Sequence, residues 1–262
     1  AAVIAAENLG KLADPGTSGT SGVSPSGAVD ALVDGLALGL HPQVAAAALD
    51  ALAAHADVRA YQAIEFFLTY RDVRVRAAAL RAMAALDDPR VPGHVVVALS
   101  DGAREVREVA IATVAARDLR PAIEPMFELL KKGDDATVPA LARMATPDLA
   151  RALGELIGVA PDGLLAQALG QTLLREDFGP EAARVQVVRT LAKVPGRLAV
   201  AQLRAYVAAV PESSPRQSRR EALAVIRARQ SGATQPGAAP PSPGAQPQPG
   251  AQPQSQPEGG GQ

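Results

Sequence analysis

The chain of 262 residues has no cysteine and no tryptophan, and only 3 Tyr and 4 Phe. The absence of cysteine removes disulfide scaffolds, thiolate metal sites, iron–sulfur clusters and thiol nucleophiles in one step. Histidine is also scarce. His41, His55 and His94 are scattered and form neither a His-Glu dyad nor an HExxH pair, so each reads as a turn or surface residue rather than a ligand. No apolar run approaches the length of a bilayer-spanning helix. Phosphate loops, dinucleotide fingerprints and nucleophile elbows are missing as well. The Gly-rich piece at 16–27 follows a helical segment, not the strand that a phosphate loop needs. Asp87-Asp88 and Asp134-Asp135 are carboxylate pairs, but both fall at predicted turns, where aspartate caps helices.

Net charge is −1, and this small sum conceals a division of the chain. Residues 1–183 carry 16 basic and 24 acidic side chains, whereas residues 184–229 carry 10 basic and 2 acidic ones. Such polarity can steer different partners to the two ends. Arg outnumbers Lys 22 to 4, a bias that, with the abundant Ala, resembles a GC-rich bacterial genome. The absence of cysteine is neutral on compartment, and a bacterial cytoplasm is taken over the periplasm.

What is present is a repeat. Val44, Val75 and Val106 align at a period of 31, and a second apolar cluster follows in each unit, with Ile64, Val95 and Met126 in one column and Leu68, Leu99 and Leu130 in another. Spacings of three and four within both clusters predict two antiparallel helices per unit, at 41–71, 72–102 and 103–133. One helix pair cannot enclose a core and must stack on its neighbours, so residues 1–230 read as an α-solenoid. The residues Val75-Arg76-x-x-Ala79-Leu80-x-Ala82-Met83 and Val106-Arg107-x-x-Ala110-Ile111 resemble the HEAT-repeat family. That resemblance implies an all-α, right-handed α-α superhelix. Weaker copies of the first-helix frame begin at Ala183-Arg184 and at Ser218-Arg219-Arg220.

Ala1 aligns with Val75, at the start of a first helix, and Ala1-Ala2-Val3-Ile4-Ala5-Ala6 is no polar cap, so further repeats are expected before it. Residues 16–27 read as an enlarged turn, followed by a helix from Ala28 to Leu40. Past Gly133 the period loosens. Helices are predicted at 137–144, 149–157, 161–175, 180–193, 197–210 and 216–229, with 180–193 and 197–210 forming a pair and a bend over 134–179. Residues 231–262 hold 8 Pro, 7 Gly and 7 Gln, a composition that stays disordered.

Two catalytic relatives of the resembled family are tested by their residues. Deoxyhypusine hydroxylase binds iron through repeated His-Glu dyads, and HEAT-like alkylpurine DNA glycosylases line their clefts with tryptophan; this chain has neither. The reading is therefore a non-enzymatic scaffold that uses no cofactor and no small-molecule substrate and binds a protein along the concave face, which the resemblance assigns to the second helices. On the helix from Val58 to Tyr70, Ile64, Phe67 and Leu68 point inward and Phe66 lies opposite, so Gln62, Phe66 and Tyr70, with Val97 one repeat later, are the candidate partner contacts. Arg76 and Arg107, with Arg184 and Arg219 in the weaker copies, are expected to bond acidic groups such as Asp72 and Asp101 at the preceding turns. At the basic end Arg216, Arg219, Arg220 and Arg227 are placed on one helix face as docking residues for an acidic partner. Two alternatives stay open. One is a phycobilin lyase-like accessory or enzyme module whose site lies in further repeats. The other is electrostatic binding of nucleic acid or an anionic membrane by 184–229, disfavoured by the acidic remainder and by Tyr206 being the single aromatic there.

Overall fold

A computed structural model describes residues 25–232. The expected first helix at Ala1, most of the enlarged turn and the Pro/Gln/Gly-rich tail lie outside the described residues. Among the described residues there are 13 α-helices and no strand: α1 (Pro25–Ala37), α2 (Pro42–His55), α3 (Tyr61–Phe67), α4 (Val73–Ala85), α5 (Val91–Ala98), α6 (Arg104–Arg117), α7 (Ile123–Lys131), α8 (Thr137–Met144), α9 (Pro147–Glu155), α10 (Asp162–Leu174), α11 (Glu181–Lys193), α12 (Arg197–Ala209) and α13 (Gln217–Gly232). Single 3₁₀ turns, Val58–Ala60 and Arg120–Ala122, lead into α3 and α7. Helix α1 starts three residues ahead of the expected Ala28, within the segment read as a turn.

Local chemistry sets the ends. The Asp72 carboxylate accepts the Arg74 N–H at 2.9 Å, and the Thr146 hydroxyl accepts the Leu149 N–H at 3.2 Å with Pro147 at the first helical position. His41 does the same for α2, its Nδ1 accepting from Gln43 at 3.4 Å. Gly133, at φ +86°, closes α7 in the left-handed conformation that a side chain would strain.

The helices stack in two rows. Helices α2, α4, α6, α8, α10 and α12 form one, each packed on the next, and the chain alternates between this row and the other, which takes α1, α3, α5, α7, α9, α11 and α13. The repeat columns are the core between the rows: Ile64, Val95 and Met126 are fully buried, as are Val75, Leu80 and Leu130. Complete burial of such side chains is worth about 1.5–3 kcal/mol each. Alanines bring the first row together. Ala45, Ala48, Ala77, Ala78 and Ala82 are buried at or near the α2–α4 contact, where the two backbones approach along their whole length. Successive second helices from α3 to α7 approach each other only at isolated points.

One expectation is corrected. Helices α11 and α13, whose Ala183-Arg184 and Ser218-Arg219 matched the first-helix frame, sit in the second row, so the pairs are α10–α11 and α12–α13, not 180–193 with 197–210. The matched feature is local: Arg184 folds back onto the carbonyls of Leu173, Arg175 and Glu176, as Arg76 folds back onto those of Tyr70 and Arg71. Either row can use that device, so it does not report the row. Over residues 134–179 the first row continues through α8 and α10.

Candidate partner-binding surface

Between the splayed second helices lie two grooves. The first, of about 530 Å³, runs between α3 and α5 and is lined by Glu65, Leu68, Thr69, His94, Val97 and Ala98, with Arg76 and Asp101 below. The second, of about 770 Å³, runs between α5 and α7 and is lined by Ser100, Arg104, Glu124, Glu128 and Lys132, with Asp101, Arg107 and Asp134 below. Asp101 is common to both.

The floor is an arginine ladder. Arg76 reaches forward to the next repeat, its Nε and Nη2 donating to the two Asp101 carboxylate oxygens at 2.9 and 3.0 Å, while Nη1 donates to the Tyr70 and Arg71 carbonyls at 2.8 and 3.2 Å. Arg107 repeats the pattern, with Nε on Asp134 at 2.9 Å and Nη1 on the Asp101 and Gly102 carbonyls. The acidic partners are thus those of the following turn. Asp72, expected for Arg76, is occupied in capping α4, and Asp101 offers Arg107 its carbonyl instead of its carboxylate. Asp101 also accepts the Ala103 N–H at 2.7 Å, closing the turn that leads into α6. The Arg76 hydrogen bonds hold the Asp101 carboxyl below its usual range against the opposing effect of burial.

A second tier repeats the period. Arg81 bonds Asp50 and Arg104 bonds Asp135, each 31 residues away, and Arg117 donates to the Leu86 carbonyl, also 31 away. Asp88 and Asp134 both close turns just ahead of α5 and α8, accepting from the Arg90 and Ala136 N–H groups, rather than capping the helices themselves.

Of the four candidate contacts, three stand in the open. Phe66 is 70 % and Val97 73 % exposed, and Gln62 is exposed on the outer face of α3. Val97 lines the first groove, whereas Phe66 stands outside it with its ring edge-on to Phe67 at 5.3 Å. Tyr70 is half-buried, its ring 5.5 Å from that of Phe67, so it belongs to the wall rather than the contact surface.

A polar cluster beside this surface was not foreseen. The buried Tyr61 hydroxyl is 2.6 Å from His94 Nε2, and Glu65 Oε1 lies 3.4 Å from that hydroxyl and 3.3 Å from the same nitrogen. The Arg90 guanidinium lies 3.6 Å above the Tyr61 ring and pairs with Asp88. Burial, then the charge on Glu65, raises the Tyr61 hydroxyl above the usual phenol range. Hydrogen bonds from the Arg90 side chain and then its backbone hold Asp88 at about 2. The usable signal was the spacing of Tyr61 and His94, 33 residues apart and so roughly one repeat.

The basic end is less free than its composition implies. Arg184 is buried against carbonyls, Arg219 donates to the Val210 carbonyl at 3.1 Å, Arg229 donates to the carbonyls of Ala192, Val194 and Gly196, and Arg189 pairs with Glu221. Arg219 is therefore half-buried and does not share the outward face of Arg220 and Arg227, and Arg216 precedes the helix.

No family model matches the sequence, and no curated protein matches it. Among solved structures, the chain is similar to the complex of CpcE and CpcF of phycocyanin lyase from Nostoc sp. PCC7120, at 20 % identity over 86 % of this chain and 88 % of that one, with a TM-score of 0.39. It is also similar to an engineered protein, at 20 % identity, 87 % and 97 % coverage and a TM-score of 0.41. A designed armadillo repeat protein aligns at 17 % identity, 85 % and 98 % coverage and a TM-score of 0.39. Likeness at this level transfers neither family nor activity. The chain is an all-α helical-repeat solenoid on its own geometry, and among the described residues no helix is long and apolar enough to cross a membrane.

Proposed function

We propose that this solenoid is a HEAT-like, non-enzymatic scaffold that binds a protein partner across α3 and α5. The observation that supports the reading is the exposure of two large apolar side chains one repeat apart, Phe66 and Val97, beside an open groove whose walls also carry Glu65, Thr69 and His94. Exposed apolar groups next to a concavity are the usual anchors of interfaces. Glu65, Thr69 and His94 would meet polar groups of the bound segment, and the Arg76–Asp101 pair keeps the spacing of the two helices fixed beneath it.

The test uses partners recovered from the native source on the full chain. Phe66→Ala and Val97→Ser should each weaken capture of the same protein by at least about tenfold, since interface anchors contribute about 2 kcal/mol or more. Because both side chains are exposed, melting should stay within about 2 °C of the parent. Loss of about 3 kcal/mol of stability in Phe66→Ala would show a core role and defeat the proposal.

A further inference from the structure

The last helix pair, α12–α13, has a neighbour on one side only among the described residues. Helix α12 turns Leu198 and Gln202 backward, against Gly163 and Gly170 of α10. Helix α13 faces α11 through Ser218, whose N–H and hydroxyl donate to Glu181 at 2.7 and 2.6 Å, and through Glu221, paired with Arg189. Between the two helices Ala199, Leu203, Tyr206, Ala222 and Ile226 are buried. At 100° per residue, the sectors left over point away from the array. They carry Val200, Arg204 and Val207 on α12 and Arg220, Leu223 and Arg227 on α13, with Arg216 just ahead of α13.

These sectors differ from the rest of the basic end. Val200 and Val207 touch the core yet stay partly open, and Leu223 is half-buried. Arg204, Arg216, Arg220 and Arg227 surround this apolar strip, and among the described residues none of their guanidinium groups has a carboxylate partner, whereas Arg189 has one and Arg184, Arg219 and Arg229 are held by carbonyls. In every earlier repeat the first-row helix of the pair is covered by the first-row helix of the next. The terminal side therefore combines a partly covered apolar strip with four uncompensated positive charges.

We propose that this terminal side of α12–α13 docks an acidic amphipathic helix of a partner protein, a surface separate from that of Phe66 and Val97. Apolar residues at three- and four-residue spacing would pack on Val200, Val207 and Leu223, and flanking carboxylates would meet the four arginines in charge-assisted, bidentate geometry. The chain's own tail does not fit: residues 233–262 contain no Val, Leu, Ile, Met or aromatic side chain, and Glu258 is their one acid. A nucleic acid is a poorer match to the strip. The single aromatic of this region, Tyr206, is buried with its hydroxyl 2.6 Å from that of Ser218, so no ring is available for base stacking.

The experiment measures fluorescence anisotropy of a labelled helical peptide of about 18 residues, long enough to hold a stable amphipathic face, with a leucine stripe flanked by glutamates. The full chain is the receptor, and a scrambled peptide of equal composition, a single-stranded oligonucleotide and phosphatidylserine vesicles are the competing probes. The patterned peptide should bind at least about tenfold tighter than the scrambled one and weaken as salt rises. Arg220→Glu with Arg227→Glu should remove about tenfold or more of that affinity, and Arg220→Gln with Arg227→Gln a smaller part of it, while circular dichroism stays helical. Phe66→Ala should leave this binding unchanged, which separates its failure from that of the proposed α3–α5 interface. Equal affinity for the two peptides, no binding up to about 1 mM, or tighter binding of oligonucleotide or vesicles overturns the proposal. So does self-association in sedimentation that the charge reversal abolishes, since the occupant would then be a second copy.

Discussion

Removing Arg76 tests the ladder on which the repeat spacing depends. Its side chain is 17 % exposed and that of Asp101 16 %, so the pair is largely withdrawn from solvent. In Arg76→Ala, Asp101 loses both guanidinium contacts and keeps only the Ala103 N–H, while the Tyr70 and Arg71 carbonyls lose a donor. Breaking one side of a buried ion pair costs about 3–5 kcal/mol, and partial solvent access at these exposures lowers that to about 2–4 kcal/mol. Asp101→Asn should cost less, about 1–2 kcal/mol, because asparagine still accepts the Ala103 N–H while the charge is lost. The assay is urea unfolding of the full chain, run as a double-mutant cycle with Arg76→Ala and Asp101→Ala, where a coupling above about 1 kcal/mol is expected for contacting charged groups. The pH dependence has a definite sign. The folded-state pKa of Asp101 is depressed, chiefly by the Arg76 hydrogen bonds, so its contribution is complete above the ordinary carboxylate pKa of 3.8 and is lost as pH falls through the lower folded value. Arg76→Ala should therefore flatten acid destabilisation. A coupling below about 0.5 kcal/mol, with an unchanged acid limb, would refute the view that this pair joins adjacent repeats.

Other outcomes follow from the packing. At Gly170 an added Cβ would lie 2.7 Å from Gln202 Cβ, so Gly170→Ala should lower stability by about 1–3 kcal/mol in urea unfolding as α10 and α12 are pushed apart. Ala78→Leu should cost a similar amount, since the fully buried Ala78 belongs to the face that lets α4 approach α2. Tyr61→Phe should lose about 1 kcal/mol in urea unfolding, the worth of a hydroxyl shared between His94 and Glu65. Asp88, held near 2 by Arg90, should keep its charge to lower pH than an ordinary aspartate, and Arg90→Ala should return its carboxyl resonance to the usual titration range.

The sequence by itself determined the repeat and most of the helix register. A period of 31 puts Val75 with Val106 and Ile64 with Val95 and Met126, and a column that stays apolar through three units has only the space between two helix rows in which to be buried. The caps were equally legible, because Asp72 and Thr146 act on N–H groups two or three residues away. Which row a helix joins was not encoded in its own letters. Arg184 and Arg76 make the same local return to the preceding carbonyls, and only the stacking of α9, α10 and α11 places α11 in the second row. The ladder's direction was hidden for the same reason: Arg76 had an acid on either side in sequence, and the repeat that stacks above it brought Asp101, not Asp72, to its guanidinium. The spacing of the rows also belongs to tertiary structure, since the closeness of α2 and α4 depends on alanines of two helices meeting face to face. That closeness opens the grooves on the far side, where Val97 lines one wall and Phe66 stands outside it, and where Tyr61, Glu65 and His94 meet across a distance that no local pattern records.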